Sequence, residues 1–244
     1  MTENANLIQR IMKKVSTIEA NELRAVLLSF TFVFILMAAY YILRPVRDAM
    51  ASDWSDTEVS FLWNLNFFIS CAVVALYGFA VSRVRFRILV PGVYGFFGLS
   101  FVAFYFGISS ISDRELIDKS FYVWLSVFSL FHISVFWSFM GDLFTKEQSR
   151  RLFAFIAAGA AAGGIVGPEI ARRFAVVIGN DQLMLISAVM LLIPIPIILY
   201  LERLKVVELH NEQVRADLSS ARIGGNPFAG FKMFVTNPYL LAIG

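Results

Sequence analysis

LRAVLLSFTFVFILMAAYYIL, residues Leu23 to Leu43, decides the class of this chain, because about 20 consecutive apolar residues are what ~30 Å of hydrocarbon requires of a helix. Five further stretches of similar character follow: Val59 to Val81, Ile88 to Ser110, Phe121 to Gly141, Leu152 to Pro168 and Leu183 to Leu201. Short charged loops join them. The composition agrees, with 58% hydrophobic residues, 16% charged residues and 25 phenylalanines, far from the make-up of a soluble globular domain. The expected fold is all-α: a polytopic membrane protein built as a six-helix bundle.

A formal net charge of +3 does not point to nucleic acid, since the basic residues are spread over loop ends and not gathered on one stripe beside stacking aromatics. It reads as topology. Basic loops around Arg83, Arg85 and Arg87, around Lys146, Arg150 and Arg151, and after Arg203 and Lys205 alternate with loops richer in acid, carrying Asp53, Asp56, Glu58, Asp113, Glu115 and Asp118. The positive-inside rule then puts the N-terminus and the C-terminal linker in the cytoplasm, against the count of Arg44, Arg47, Arg172 and Arg173 on the other side. The N-terminal segment is no cleavable signal, because a long polar stretch precedes a hydrophobic run well beyond a signal core. The lone cysteine, Cys71, excludes an intrachain disulfide and is expected to be an inert buried thiol.

Four regions are expected. In residues 1–22, Leu7, Ile8, Ile11, Met12, Val15 and Ile18 recur at helical spacing opposite Arg10, Lys13 and Lys14, as in a helix lying on the cytoplasmic leaflet or in an extension of the first span. Residues 23–201 hold the six spans. Residues 202–235 read as a cytoplasmic linker, charged from Glu202 to Arg222, broken at Gly224-Gly225-Asn226-Pro227, then interfacial around Phe228, Phe231 and Phe234. Residues 236–244 read as the first turns of a seventh span. Six spans, a charged linker and a new span is the plan of one half of a major-facilitator-like fold, whose halves face each other across a midplane site. A self-contained six-helix channel or scaffold is the competing reading.

Three features are candidates for chemistry. In the fifth span, Gly159, Gly163 and Gly167 fall at i, i+4 and i+8 before Pro168, which clears one helix face for close backbone approach and marks a packing and hinge surface. In the loop before it, Asp142, Glu147, Arg150 and Arg151 are placed either to latch the cytoplasmic side of a rocking bundle or simply to set topology and meet lipid headgroups. At the end of the first span, Tyr40-Tyr41-Ile42-Leu43-Arg44-Pro45-Val46-Arg47-Asp48 sets two arginines three apart, with Asp48 four after Arg44. If the helix continues past Pro45, all three share a face. A guanidinium forks onto phosphate or carboxylate, which suits capture of an anion at a cavity mouth; arginines snorkelling to outer headgroups are the other reading.

The Leu43-Arg44-Pro45-Val46-Arg47-Asp48 element, together with Phe136-Trp137-Ser138-Phe139-Met140-Gly141-Asp142-Leu143-Phe144-Thr145 and the run through Arg150-Arg151 to the glycine-rich span, resembles the nucleotide exchange transporters of the ATP/ADP translocase type. The likeness corresponds to the first half of such a transporter. It implies a membrane antiporter, in a bacterial inner membrane, that works with a second six-helix half and takes a nucleotide or another anionic small molecule. It also implies roles for Arg47, where the family commonly has lysine, and for Asp48; the family's acidic loop position matches Glu147 or, with a one-residue shift, Gln148.

Tyr40, Tyr41 and Trp63 are candidate base platforms. Asn64 and Asn66 in the second span and His132 in the fourth are polar groups that need a partner or a cavity, with hydrogen bonds between helices the leading expectation for them. There is no phosphate-binding loop, catalytic carboxylate pair or metal-ligand cluster in the sequence, so neither an enzyme nor a cofactor is expected. The expected function is nucleotide exchange by alternating access, with transport of another organic anion or a non-transporting membrane assembly role as alternatives.

Overall fold

The computed structural model describes residues 18–207 and residue 209, and among them there is helix but no strand. The amphipathic stretch at the N-terminus, most of the 202–235 linker and the seventh span all lie outside the described residues. The helices are α1 (Leu23–Met50), α2 (Asp56–Arg83), α3 (Phe86–Ser110), α4 (Arg114–Leu143), α5 (Lys146–Ile178), α6 (Asn180–Leu192) and α7 (Pro194–Val207), with one 3-10 turn, Ala51–Asp53, after α1. They supply six crossings long and apolar enough to span a bilayer, with α6 and α7 making the sixth together, Asn180–Lys205.

Local chemistry sets the boundaries. Ser55 and Glu58 form a capping box at the start of α2, Thr145 and Gln148 do the same for α5, and the Asp113 carboxylate accepts the Leu116 N–H at the head of α4. Gly179 separates α5 from α6 at φ +86°, a conformation open to glycine. Proline does not end helices here. α1 runs through Pro45 to Met50, and α5 runs through Pro168 to Ile178, past the expected span end. One missing N–H costs a single backbone bond, which a packed membrane helix tolerates. Pro194 and Pro196 together do interrupt the sixth crossing, yet Ile193 between its two parts keeps helical angles (φ −61°, ψ −38°).

The contacts define two layers. The front layer runs α2, α4, α1, α5 in spatial order, and the back layer is α3 beside α6 and α7. The main helix pairings are kept when the first three crossings are exchanged with the last three. α1 against α5 becomes α4 against α2, α1 against the sixth crossing becomes α4 against α3, and α1 against α4 and α3 against the sixth map onto themselves.

Lipid gives apolar side chains no reason to leave it, so the bundle is held by close packing and by internal polar contacts. Phe32 of α1 meets Tyr94 of α3 and Phe136 of α4 edge to face, at centroid distances of 5.4 and 5.0 Å. Phe97, Phe101, Phe121 and Phe128 continue this buried aromatic core between α3 and α4. The Ser187 hydroxyl of α6 donates to the Ala39 carbonyl of α1 at 2.5 Å, and the Tyr94 hydroxyl donates to the His132 carbonyl at 2.9 Å.

α1 and α5 approach most closely. A Cβ on Gly159 would lie 2.6 Å from the Phe30 carbonyl oxygen and one on Gly167 2.6 Å from that of Ala38, while one on Gly163 would collide with the Phe34 carbonyl. The obstructing atoms are backbone, so nothing can swing aside. α2 is the opposite case. Only Leu62 and Ser70 along it are buried, and Phe61, Trp63, Phe67, Phe68, Leu76 and Phe79 are exposed. Cys71 lies on this bare helix and is exposed, which corrects the expectation of a buried thiol: α2 has too few neighbours to cover it.

Candidate functional site

Continuation of α1 past Pro45 carries Arg44, Arg47 and Asp48 on helical backbone beyond the apolar span, at the distal end of the bundle where α1 finishes. Arg47 turns towards α4 and not outward. Its Nε and Nη2 donate to Asp48 Oδ1 at 3.0 and 2.7 Å, and its Nη1 donates to Ser126 Oγ at 3.3 Å. The guanidinium carbon stands 5.0 Å from the centre of the Tyr122 ring, a cation–π contact. Trp63 of α2 donates its Nε1 hydrogen to the Tyr122 hydroxyl at 3.0 Å. Three front-layer helices thus meet around one guanidinium.

The arginines differ. The Arg47 side chain is 17% exposed, its Asp48 partner 53%. Arg44 is exposed and finds no carboxylate or hydrogen-bond partner among the described residues. Asp48 therefore holds Arg47, its neighbour in sequence, and leaves Arg44 free, although spacing alone placed Asp48 one turn after Arg44. Below them the two tyrosines part company. Tyr40 stacks on His132 of α4 with centroids 4.3 Å apart, whereas Tyr41 packs on α5, where a Cβ on Gly167 would come within 2.8 Å of its own Cβ.

Three serines of α4 reach its surface beside the exposed Leu130. Ser126 is half-buried, and Ser134 and Ser138 are exposed. On α1 Thr31 is exposed and its hydroxyl donates to the Leu27 carbonyl of its own helix at 2.9 Å. Trp63 and Asn64 lie on the bare part of α2, and the Asn64 amide donates only to the Ser60 carbonyl of its own helix. Asn66 accepts from Ser70, also of its own helix, at 3.4 Å. Hydrogen bonds between helices, the leading expectation for these asparagines, are absent among the described residues. The His132 ring bonds the Ser129 carbonyl of its own helix through Nδ1 and stacks across helices on Tyr40.

The proximal end, where α1 begins, arranges the anticipated latch differently. Asp142 pairs with Lys205 at the end of α7, at 2.7 Å, with both side chains largely covered. Arg151 pairs with Glu22 at 2.8 Å and Glu19 at 3.4 Å, joining the start of α5 to the segment before α1. Arg150 and Glu147 are exposed. Gln148 is committed to the α5 cap, its Oε1 accepting the Thr145 N–H at 3.0 Å, so Glu147 is the acidic side chain of that loop left free to meet a ligand or partner. At the distal helix ends Glu169 binds Arg172 and Arg173, and Arg114 binds Asp118 and Asp181. Glu58, before the apolar part of α2, has its carboxyl held down at about 2 by the Lys119 ammonium and by the Ser55 cap.

Ser126, Tyr122, Lys205 and Glu22 were not picked out from sequence. For the first of these a signal exists, since α4 carries a series of polar residues inside an apolar span, Ser126, Ser129, Ser134 and Ser138. Glu22 and Lys205 carry none, because their partners are remote in the chain.

The fold and its surface define a multi-pass helical membrane protein with a charged, aromatic-lined cluster at one end of its front layer. No known protein family, curated protein or solved structure matches the chain.

Proposed function

We propose that this bundle is the N-terminal half of a major-facilitator-like transporter that exchanges nucleotides by alternating access, with both ends of the described bundle's chain on the cytoplasmic side of a bacterial inner membrane. The observation that carries the reading is the placement of Arg47. A guanidinium serving lipid headgroups would extend outward, whereas this one is drawn onto Ser126 and Tyr122 of α4 with its counter-ion Asp48 beside it. The exchange symmetry of the helix pairing supports the fold, being what two inverted three-helix repeats produce. The exposed Asn64 and Trp63 of α2 support a second half, since polar groups at membrane depth call for protein or water opposite them.

In this reading Arg44 and Arg47 with Asp48 carry one net positive charge, and an incoming phosphate displaces Asp48 from the Arg47 fork. The empty site closes on its own carboxylate. That keeps the guanidinium paired whenever no substrate is bound. Tyr40, already stacked on His132, and Trp63 are aromatic surfaces near the arginines for a base.

The test is efflux of labelled ATP from proteoliposomes holding the full-length protein, driven by external nucleotides or by other organic anions. Expected is nucleotide-driven efflux that is lost in Arg47→Ala and kept in Arg172→Ala, whose arginine is tied to Glu169. Efflux driven by dicarboxylates alone reassigns the substrate, and no efflux with any anion favours the assembly role.

A further inference from the structure

The basic residues of the proximal end are differently placed, and Lys146, Arg150 and Arg203 among them are exposed. Arg151 and Lys205 are consumed by carboxylates inside the bundle. Arg83, Arg85 and Arg87, in the turn from α2 to α3, are all exposed, and none has a carboxylate within ion-pair distance among the described residues. Three uncompensated guanidiniums within five residues are a strong local field on a bundle that pairs most of its other charges.

Their neighbours are apolar and equally bare. Arg83 lies over the Phe79 ring, its guanidinium carbon 4.6 Å from the ring centre, and Phe79 is 50% exposed. Val84 and Ile88, interleaved with the arginines, are 38% and 63% exposed. Arg85 occupies the cap position of α3 without a side-chain hydrogen bond, so the positive end of that helix adds to the same field. Soluble phosphate would use the charges and leave Phe79, Val84 and Ile88 in water. A phospholipid uses both, with phosphate on the guanidinium forks and the glycerol end of its acyl chains on the apolar side chains.

We propose that the α2–α3 turn is a binding site for anionic phospholipid, built from Arg83, Arg85, Arg87, Phe79, Val84 and Ile88. It is independent of the transport reading. Its consequence is mechanical: α2 has little buried surface, so a lipid gripped at its proximal end would help hold the helix to the bundle.

The test is native mass spectrometry of the full-length protein in mild detergent, titrated with phosphatidylglycerol, with phosphatidylcholine, and with glycerol 3-phosphate as the headgroup alone. Phosphatidylglycerol should bind best. R83Q/R85Q/R87Q should weaken it on the order of 100-fold, roughly fivefold per guanidinium, while R172Q/R173Q at the distal end leaves it unchanged. A second variant, F79A/I88S, keeps every charge; it should weaken phosphatidylglycerol and leave glycerol 3-phosphate unaffected. The proposal is overturned if the triple variant binds phosphatidylglycerol like the parent, if phosphatidylcholine binds as tightly, or if glycerol 3-phosphate matches the lipid, which would make this a soluble-anion site.

Discussion

The α1/α5 seam and the α2/α4 seam occupy equivalent places in the bundle, related by exchange of its two three-helix sets, and they are built on different principles. Each is tied where its helices start by an ion pair, Glu22 with Arg151 in one and Glu58 with Lys119 in the other. Beyond the tie they diverge. Three glycines of α5 seat directly on the Phe30, Phe34 and Ala38 carbonyls of α1, whereas α2 carries no such run and leaves most of its length bare. Where lipid competes equally for apolar side chains, close backbone approach decides which helices hold together. One side of the front layer is thus a rigid unit, and the other is a helix fastened mainly at its end.

Substitution should expose this asymmetry. The largest effect is expected for Gly163→Val, which drives a side chain into the Phe34 carbonyl; its cost should reach or exceed the ~3 kcal/mol upper end of ordinary overpacking. Ser70→Ala on α2 should stay within about 1 kcal/mol, and thermal unfolding in detergent separates the two. Next comes Arg151→Met, which strands Glu22 at 1% exposure and should cost about 3 kcal/mol. The matching Lys119→Met leaves Glu58 in contact with water and should lower stability far less in the same assay. Trp63→Phe removes the bond to Tyr122 and should loosen α2 by about 1 kcal/mol, read as faster disulfide trapping between cysteines placed at the far ends of α2 and α4.

Acidification should do least. Because the Glu58 carboxyl is lowered from 4.5 to about 2, its contribution is complete above 4.5 and lost only as pH falls towards 2. Trapping rates at pH 7 and pH 5 should therefore agree; a clear rise at pH 5 would mean that another group governs the α2/α4 seam.

Much of the rigid seam was legible in the chain, since Gly159, Gly163 and Gly167 announce a cleared helix face without reference to any partner. The number of crossings was legible for the same reason: length and apolarity are local. What escaped depends on remote pairing. Asp48 chooses Arg47 over Arg44 because Ser126 and Tyr122 draw Arg47 to α4, and neither is near it in sequence. Asp142 and Arg151 look like partners across one short loop, yet each binds a residue from a distant end of the chain, Lys205 and Glu22. The interruption at Pro194 needed only the prolines to be weighed as a pair, since one is tolerated in α1 and α5 and two in quick succession are not.

The claim on which the functional reading depends is that the front layer, with Arg47 at its distal end, faces water. Ser134 of α4, a front-layer helix, is exposed, while Leu99, 62% exposed, lies midway along α3 in the back layer. In a Cys71→Ser background, S134C and L99C can be challenged in membranes with a charged thiol reagent that reacts only where water ionises the thiol. Modification of S134C, slowed by added nucleotide, with L99C left untouched is the expected result; equal protection of both cysteines would place the front layer in lipid and contradict the anion-capture site.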